Sequence, residues 1–233
     1  MATIAANLQE TQTRLASACT RAGRPVQSVT LLVVSKTFSA TAVREAYNAG
    51  ARRFGENYVQ EGLEKIEALA DLRQDVEWHL IGPLQSNKTR VVAEAFDWVH
   101  SVDRLKTAQR LSEQRPAALP PLNVCLQINI SGEDTKSGAA PGEALALARA
   151  IAALPRLRLR GLMAVPEPAA DFEAQRLPHR ALAELQRQLI AQGLTLDTLS
   201  IGMSADLEAA VAEGATMVRI GSAIFGQRPT PAA

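Results

Sequence analysis

The sequence has little of several things that would have directed it elsewhere. It has 2 cysteines in 233 residues. Cys19 and Cys125 fit no metal-ligand spacing and no disulfide framework, so a reduced, cytoplasmic setting is expected. Charge is balanced, with 25 Lys+Arg against 24 Asp+Glu. With no basic block or stripe, neither nucleic acid nor a membrane surface is an expected partner. No apolar run is long enough to cross a bilayer. The opening MATIAANLQETQTRL has neither the basic start nor the apolar run of a signal peptide. No metal cluster, nucleophile elbow or P-loop stands in the sequence, and no 20–50-residue repeat is visible. What remains reads as a soluble protein with 47% hydrophobic residues, ample for one large core.

The stretch that organises the rest is VTLLVVSKTFS, Val29–Ser39. Its apolar, largely β-branched run is the composition of a strand buried on both faces, as in a parallel sheet covered by helices. Lys36 stands at its carboxyl end, where α/β folds place their chemistry. Burial there disfavours an ammonium and makes the amine a better nucleophile toward carbonyls. The competing reading is a lysine that snorkels to the rim.

Before this strand, Ile4, Leu8, Leu15 and Ala18 recur at helical spacing, predicting an amphipathic helix stopped by Gly23 and Pro25. After it, strands and helices alternate. Helices are expected over 41–49, 59–69, 88–95, 141–154 and 205–213. A further one begins near Ser101 or Asp103 as its cap, a long one ends near Gln192, and a last one spans Gly221–Gly226. The remaining strands are expected at 52–57, 77–81, 97–102, 123–130, 157–164, 196–201 and 216–220. Eight strands, each followed by a helix, is the number that closes a (β/α)8 TIM barrel, with the N-terminal helix as an extra element. A doubly wound open sheet is the alternative, but a lysine stands where that fold places its Gly-rich turn. Residues 1–228 are expected to form one domain, with 229–233 frayed.

In a barrel the strand ends converge on one face, bringing together Lys36, Asn57, His79, Ser101, Asn129, Met163, Ser204, Arg219 and Ser222. The seventh and eighth βα loops, GMSAD (Gly202–Asp206) and RIGSAIFG (Arg219–Gly226), are rich in glycine and serine. Barrels often bind phosphate with those two loops, although ordinary turns use the same residues. A reactive amine facing a phosphate cup suits an aldehyde that carries a phosphate, and pyridoxal phosphate fits both halves. Arg219 would then meet the pyridine nitrogen and keep it unprotonated; a salt-bridged residue at the barrel mouth is the alternative. His79 either orients a ligand or satisfies hydrogen bonds at a strand end. Glu56 reads as structural, Lys88 and Lys136 as exposed, and His100 and His179 have no evident partners.

These motifs resemble the pyridoxal phosphate homeostasis protein family, also described as proline synthetase co-transcribed homologue proteins, which share the barrel of the alanine racemase N-terminal domain. The matching stretches are VVSKTF, FGENYVQE, WHLIGPLQSNK, SVD, QINISGEDTKSG, GLMA and LSIGMSADLEAAVAEGATMVRIGSAIFG. They run in order through nearly the whole chain. Ile201 stands where Met is expected and Ser222 where Thr is usual, and the latter keeps its hydroxyl. The resemblance implies a Schiff base between pyridoxal phosphate and Lys36. It implies that Ser204, Gly221 and Ser222 hold the phosphate, that Arg219 faces the ring nitrogen, and that Asn57 and Met203 lie beside the ring. It also implies a role in vitamin B6 homeostasis and in amino-acid and keto-acid balance, without an established catalytic activity.

Two enzyme readings stand beside this carrier reading. A weak amino-acid racemase needs an acid/base group on each face of the reacting carbon. Alanine racemases draw one of these from a second domain expected to be missing here, so Tyr58 is the residue that keeps that reading alive. A cofactor-free Schiff-base aldolase is the other. The expected partners are pyridoxal phosphate and, for a carrier, the apo forms of enzymes that use it. A monomer is expected because the dimer-forming domain is missing.

Overall fold

The computed structural model describes residues 3–132 and 137–226. Its strands are β1 (Thr30–Val34), β2 (Arg53–Glu56), β3 (Glu77–Leu80), β4 (Trp98–Val102), β5 (Leu122–Gln127), β6 (Leu157–Met163), β7 (Thr198–Ser200) and β8 (Met217–Ile220). They pair in parallel in chain order, and β8 returns to β1 with Met217 opposite Thr30 and Arg219 opposite Leu32. That closure excludes the open doubly wound sheet and gives the expected (β/α)8 barrel. The helices are α1 (Ile4–Arg21), α2 (Ala40–Asn48), α3 (Val59–Ala68), α4 (Thr89–Ala95), α5 (Leu105–Gln114), α6 (Ala144–Ala152), α7 (Phe172–Ala191), α8 (Leu207–Ala212) and α9 (Ser222–Phe225).

Alternation along each strand divides the core in two. In β1, Leu31 and Val33 join the large cluster between barrel and helices. Leu32 turns inward to a small cluster with Trp98, Cys125, Met163 and Met217. The barrel interior is therefore packed with side chains and is not a pore. Helix α1 lies outside the repeat and packs on α8 and α9, beside the β8–β1 seam. Leu8 and Leu15 are buried there, each contributing roughly 1.5–3 kcal/mol.

Several boundaries differ from the sequence reading. β5 stops at Gln127 rather than Ile130, and only an isolated bridge from Ile128 to Ala139 continues it. Pro141 opens a single 3-10 turn, Pro141–Glu143, before α6 begins, and α6 stops short of Leu154. The cap of α5 is Arg104, with no side-chain bond. The Ser101 hydroxyl instead donates to the Gly82 carbonyl at 2.6 Å, and Asp103 pairs with Arg104. Lys88 is half-buried rather than exposed. Lys136 and the tail 229–233 lie outside the described residues.

Candidate functional site

A cavity of about 370 Å³ opens at the carboxyl ends of the strands, within the size range of small-molecule sites. It is lined by Lys36, Asn57, Met203, Ser204, Arg219, Gly221 and Ser222, all seven residues implied by the resemblance, together with Val34, Phe38, Ile81, Val165, Ala205 and Gly226. Strands β4 and β5 supply none of these, so the cavity sits to one side of the barrel mouth. Ser101 and Asn129, at the ends of those strands, therefore lie outside it; the Asn129 side chain accepts from the Gly132 N–H. Met163 packs deeper, in the inner cluster. Tyr58 caps α3, is 58% exposed and is not among the lining residues.

Lys36 stands two residues past the end of β1 and is half-buried. The next residue, Thr37, has φ 68°, a left-handed backbone that a β-branched residue adopts only when its surroundings impose it. A buried ionic cluster behind it does so. Lys65 Nζ donates to the Ser35 carbonyl at 2.6 Å, to Glu56 Oε1 at 2.8 Å and to Glu61 Oε1 at 2.6 Å. Glu61 Oε1 also accepts from the Thr37 N–H at 2.5 Å, and Ser35 Oγ donates to Glu56 Oε1 at 2.5 Å. Burial raises the Glu56 pKa, outweighing the attraction of Lys65. Glu56 is thus structural, as its sequence context implies. Lys65 gave no sequence signal, because a lysine within an amphipathic helix reads as a solvated one.

Arg219 forms the floor. Arg219 is 5% exposed, and its guanidinium donates from Nη1 to Ser200 O and Ser200 Oγ, at 2.5 and 2.8 Å, and from Nη2 to Ala164 O at 2.9 Å. Burial pushes its pKa down to about 10, which leaves it a cation at neutral pH. The salt-bridged alternative fails: its partners are backbone carbonyls and a hydroxyl. His79, expected at the mouth, is instead fully buried inside the barrel. Its ring stacks on Trp98 with centroids 5.1 Å apart, and Nδ1 lies 3.0 Å from His100 Nε2. His100 and His179 do have partners. His100 Nδ1 is 2.9 Å from Ser200 Oγ, and His179 Nε2 is 2.8 Å from Asp206 Oδ2.

The loops after β7 and β8 meet across the cavity, with the Ser204 and Ser222 hydroxyls 3.4 Å apart. Both loops are tightly placed. A Cβ on Gly221 would lie 2.8 Å from the Val34 carbonyl oxygen, and Gly202 has φ +92° with Ala210 against it. Asp206 Oδ1 accepts from the Met203 N–H at 2.7 Å. Burial raises the Asp206 pKa, but bonds from His179 and Met203 outweigh that and hold it low. The extra helix reaches both loops: Arg14 Nη1 donates to Ser204 O at 2.8 Å, and Asn7 Nδ2 to Ile224 O at 2.9 Å. Helix α9 has four residues, too few for a substantial macrodipole. An anion here would rest on hydroxyls and nearby N–H groups. Amine, cationic floor, small-residue cup and the apolar walls Val34, Ile81 and Val165 together fit a flat, phosphorylated aldehyde.

The chain is similar to known proteins over nearly its whole length. Residues 3–229 match the family described as alanine racemase, N-terminal domain. A pyridoxal phosphate homeostasis protein from Pseudomonas aeruginosa is 62% identical over 228 residues, spanning 98% of this chain and 97% of its own. The structure of PipY from Synechococcus elongatus with PLP bound superposes with a TM-score of 0.80 at 39% identity, over 92% of this chain and 99% of that one. Alanine racemase from Corynebacterium glutamicum shares the fold, with a TM-score of 0.70 at 19% identity, over 99% of this chain and 62% of that one. By the length and identity of these matches, the chain belongs to the alanine racemase N-terminal domain family, and within it to the pyridoxal phosphate homeostasis proteins.

Proposed function

We propose that this chain binds pyridoxal 5'-phosphate in the cavity at the barrel mouth, held covalently through the Lys36 amine, and acts in its homeostasis as a carrier or buffer. The observation that carries the reading is the content of the lining. Among the described residues it offers one amine, one guanidinium and two hydroxyls, but no carboxylate, imidazole, thiol or phenol. A relative at 39% identity has PLP bound, and one at 62% is named for pyridoxal phosphate homeostasis. The reading takes residues 1–228 as one binding unit in a soluble, cytoplasmic monomer. No helix among the described residues is long and apolar enough to cross a membrane.

Bound pyridoxal phosphate supplies an aldehyde that condenses with amines and a ring that withdraws electrons. Lys36 presents its amine from a backbone held by the Lys65 cluster. Ser204, Gly221 and Ser222 receive the phosphate, and Asn57 and Met203 flank the ring. Arg219 is a donor-only cation, so opposite the ring nitrogen it favours the unprotonated form and weakens electron withdrawal. Racemisation needs a second acid/base group across the reacting carbon, and Tyr58 is not among the lining residues. Exposed Met203 and Val165 at the rim leave the mouth open for exchange. Apo forms of enzymes that use this cofactor are the partners such a carrier would serve.

The test measures two rates with the loaded protein. Deuterium wash-in at the Cα of alanine should be no faster than with free pyridoxal phosphate, and transfer to an apo-enzyme should be faster than from free solution. Rapid wash-in would establish a racemase instead. A protein that takes up no pyridoxal phosphate yet cleaves an aldol substrate would establish the aldolase.

A further inference from the structure

We infer that Ser200, His100 and His79 form a one-directional hydrogen-bond relay that positions Arg219 and supports the charge it presents to the occupant of the cavity. The inference rests on the pyridoxal phosphate reading for that occupant, but the relay itself is a property of the chain. All three residues are fully buried, and none lines the cavity. The links run from Arg219 Nη1 to Ser200 Oγ at 2.8 Å, on to His100 Nδ1 at 2.9 Å, and from His100 Nε2 to His79 Nδ1 at 3.0 Å. His79 Nε2, at the far end, makes no hydrogen bond, and Glu77 Oε2 lies 3.7 Å from it. Glu77 lies at the amino end of β3, with its side chain 48% exposed and Arg53 Nε donating to Oε2 at 2.7 Å.

The Arg219 end fixes the direction of the links, and the Glu77 charge at the other end favours the same polarity. Arginine can only donate and an ionised carboxylate can only accept. Ser200 Oγ accepts from Arg219, so its own proton is available to His100 Nδ1. His100 then carries its proton on Nε2 and donates it to His79 Nδ1. His79 in turn carries its proton on Nε2, facing Glu77. The opposite polarity fails at both ends. It would set the lone pair of His79 Nε2 against the Glu77 carboxylate and leave the Ser200 hydroxyl proton without an acceptor in a dry interior, which is costly.

Burial is the largest influence on both imidazoles and favours their neutral forms, and for His100 the neighbouring His79 and Arg219 add to that. Around His79, Glu77 and Asp97 pull toward protonation and Arg53 against it. Cys125 also faces the interior, but burial pushes its thiol up to about 12, so it contributes no charge. A neutral, directed chain ending at His79, with the Glu77 carboxylate 3.7 Å beyond, gives the buried guanidinium a polarised acceptor beyond its two carbonyl contacts. Ser200 and His100 are thus positioning residues that act through Arg219.

Two measurements test this. The first uses ligand-free, 15N-labelled protein at neutral pH, where two-bond proton–nitrogen correlations report imidazole tautomers. Both His79 and His100 should be neutral with the proton on Nε2, and Ser200→Ala should remove the single tautomer of His100. A proton on His100 Nδ1, or an imidazolium, overturns the relay. The second titrates wild type and Ser200→Ala with pyridoxal phosphate. The variant keeps both carbonyl contacts of Arg219 but leaves the buried His100 Nδ1 unpaired, so it should still fold, with an unfolding temperature lower by several degrees. It should bind about tenfold more weakly, as expected for a lost hydrogen bond to a charged group, with a shifted absorption maximum for the bound cofactor. An unchanged affinity and spectrum overturns the positioning role. If wild type takes up no pyridoxal phosphate, the functional reading fails, and the tautomer measurement alone still decides the relay.

Discussion

Replacing Lys65 by methionine keeps the length of the side chain and removes the charge at the centre of the cluster behind Lys36. Glu56, whose side chain has no exposure, would keep the Ser35 hydroxyl on Oε1, while Oε2 already lacks a partner. Removing one partner of a buried pair leaves an uncompensated charge, at a cost of about 3–5 kcal/mol. Against a total stability of about 5–15 kcal/mol, the variant should still fold. Its unfolding temperature should fall by roughly 6–20 °C for a chain of this size.

The loss should also depend on pH. The folded pKa of Glu56 is already raised by burial and held back by Lys65, so removing Lys65 raises it further. A carboxyl with a raised folded pKa stabilises the fold below its unfolded pKa, and that contribution is lost as pH rises through the folded value. Thermal unfolding followed by circular dichroism at several values between about pH 5 and pH 8 should show the smallest deficit at the acid end. Adding Glu56→Gln to Lys65→Met should recover most of it. A deficit independent of pH, or one below about 1 kcal/mol, would refute the reasoning, since a surface ion pair is worth no more than that. Pyridoxal phosphate binding should weaken as well, because the cluster imposes the Thr37 backbone beside Lys36.

Two further changes act on the phosphate loops. Gly221→Ala places a methyl 2.8 Å from the Val34 carbonyl, so the loop must shift at a cost of about 1–3 kcal/mol; titration should show pyridoxal phosphate binding at least about tenfold weaker, and wild-type affinity would contradict the assignment. Arg14→Ala removes a bond to the Ser204 carbonyl and an ion pair with Glu208 whose side chains are 37% and 29% exposed. With solvent screening the pair, about 1 kcal/mol of stability should be lost, lowering the unfolding temperature by about 2–4 °C, and the loosened Ser204 loop should bind pyridoxal phosphate roughly fivefold more weakly.

The barrel was legible because its strands are buried on both faces and read as continuous apolar runs separated by helical periods. Lys36 and the Gly/Ser loops were legible for a related reason: polar and small residues directly after such runs mark strand ends. What escaped the sequence depends on contacts between elements distant in the chain. His79 read as a strand-end residue, because its pairing with His100 and Ser200 requires three inward-facing positions on β3, β4 and β7, and the register between β4 and β5 shifts between Val99 and Val102. Arg14 and Asn7 sit on a helix whose apolar stripe announces packing but not which polar residues reach a loop. The cap of α5 was misplaced because Ser101 is spent on Gly82, a contact with the preceding βα loop.

The claim on which the account depends is that the Lys36 amine holds the aldehyde. Loading the protein with pyridoxal phosphate, reducing it with borohydride and mapping the labelled peptide tests it directly. The account predicts one modified peptide, carrying Lys36, and none after Lys36→Ala; a label on any other lysine, or an unmodified Lys36 in protein saturated with pyridoxal phosphate, would contradict it.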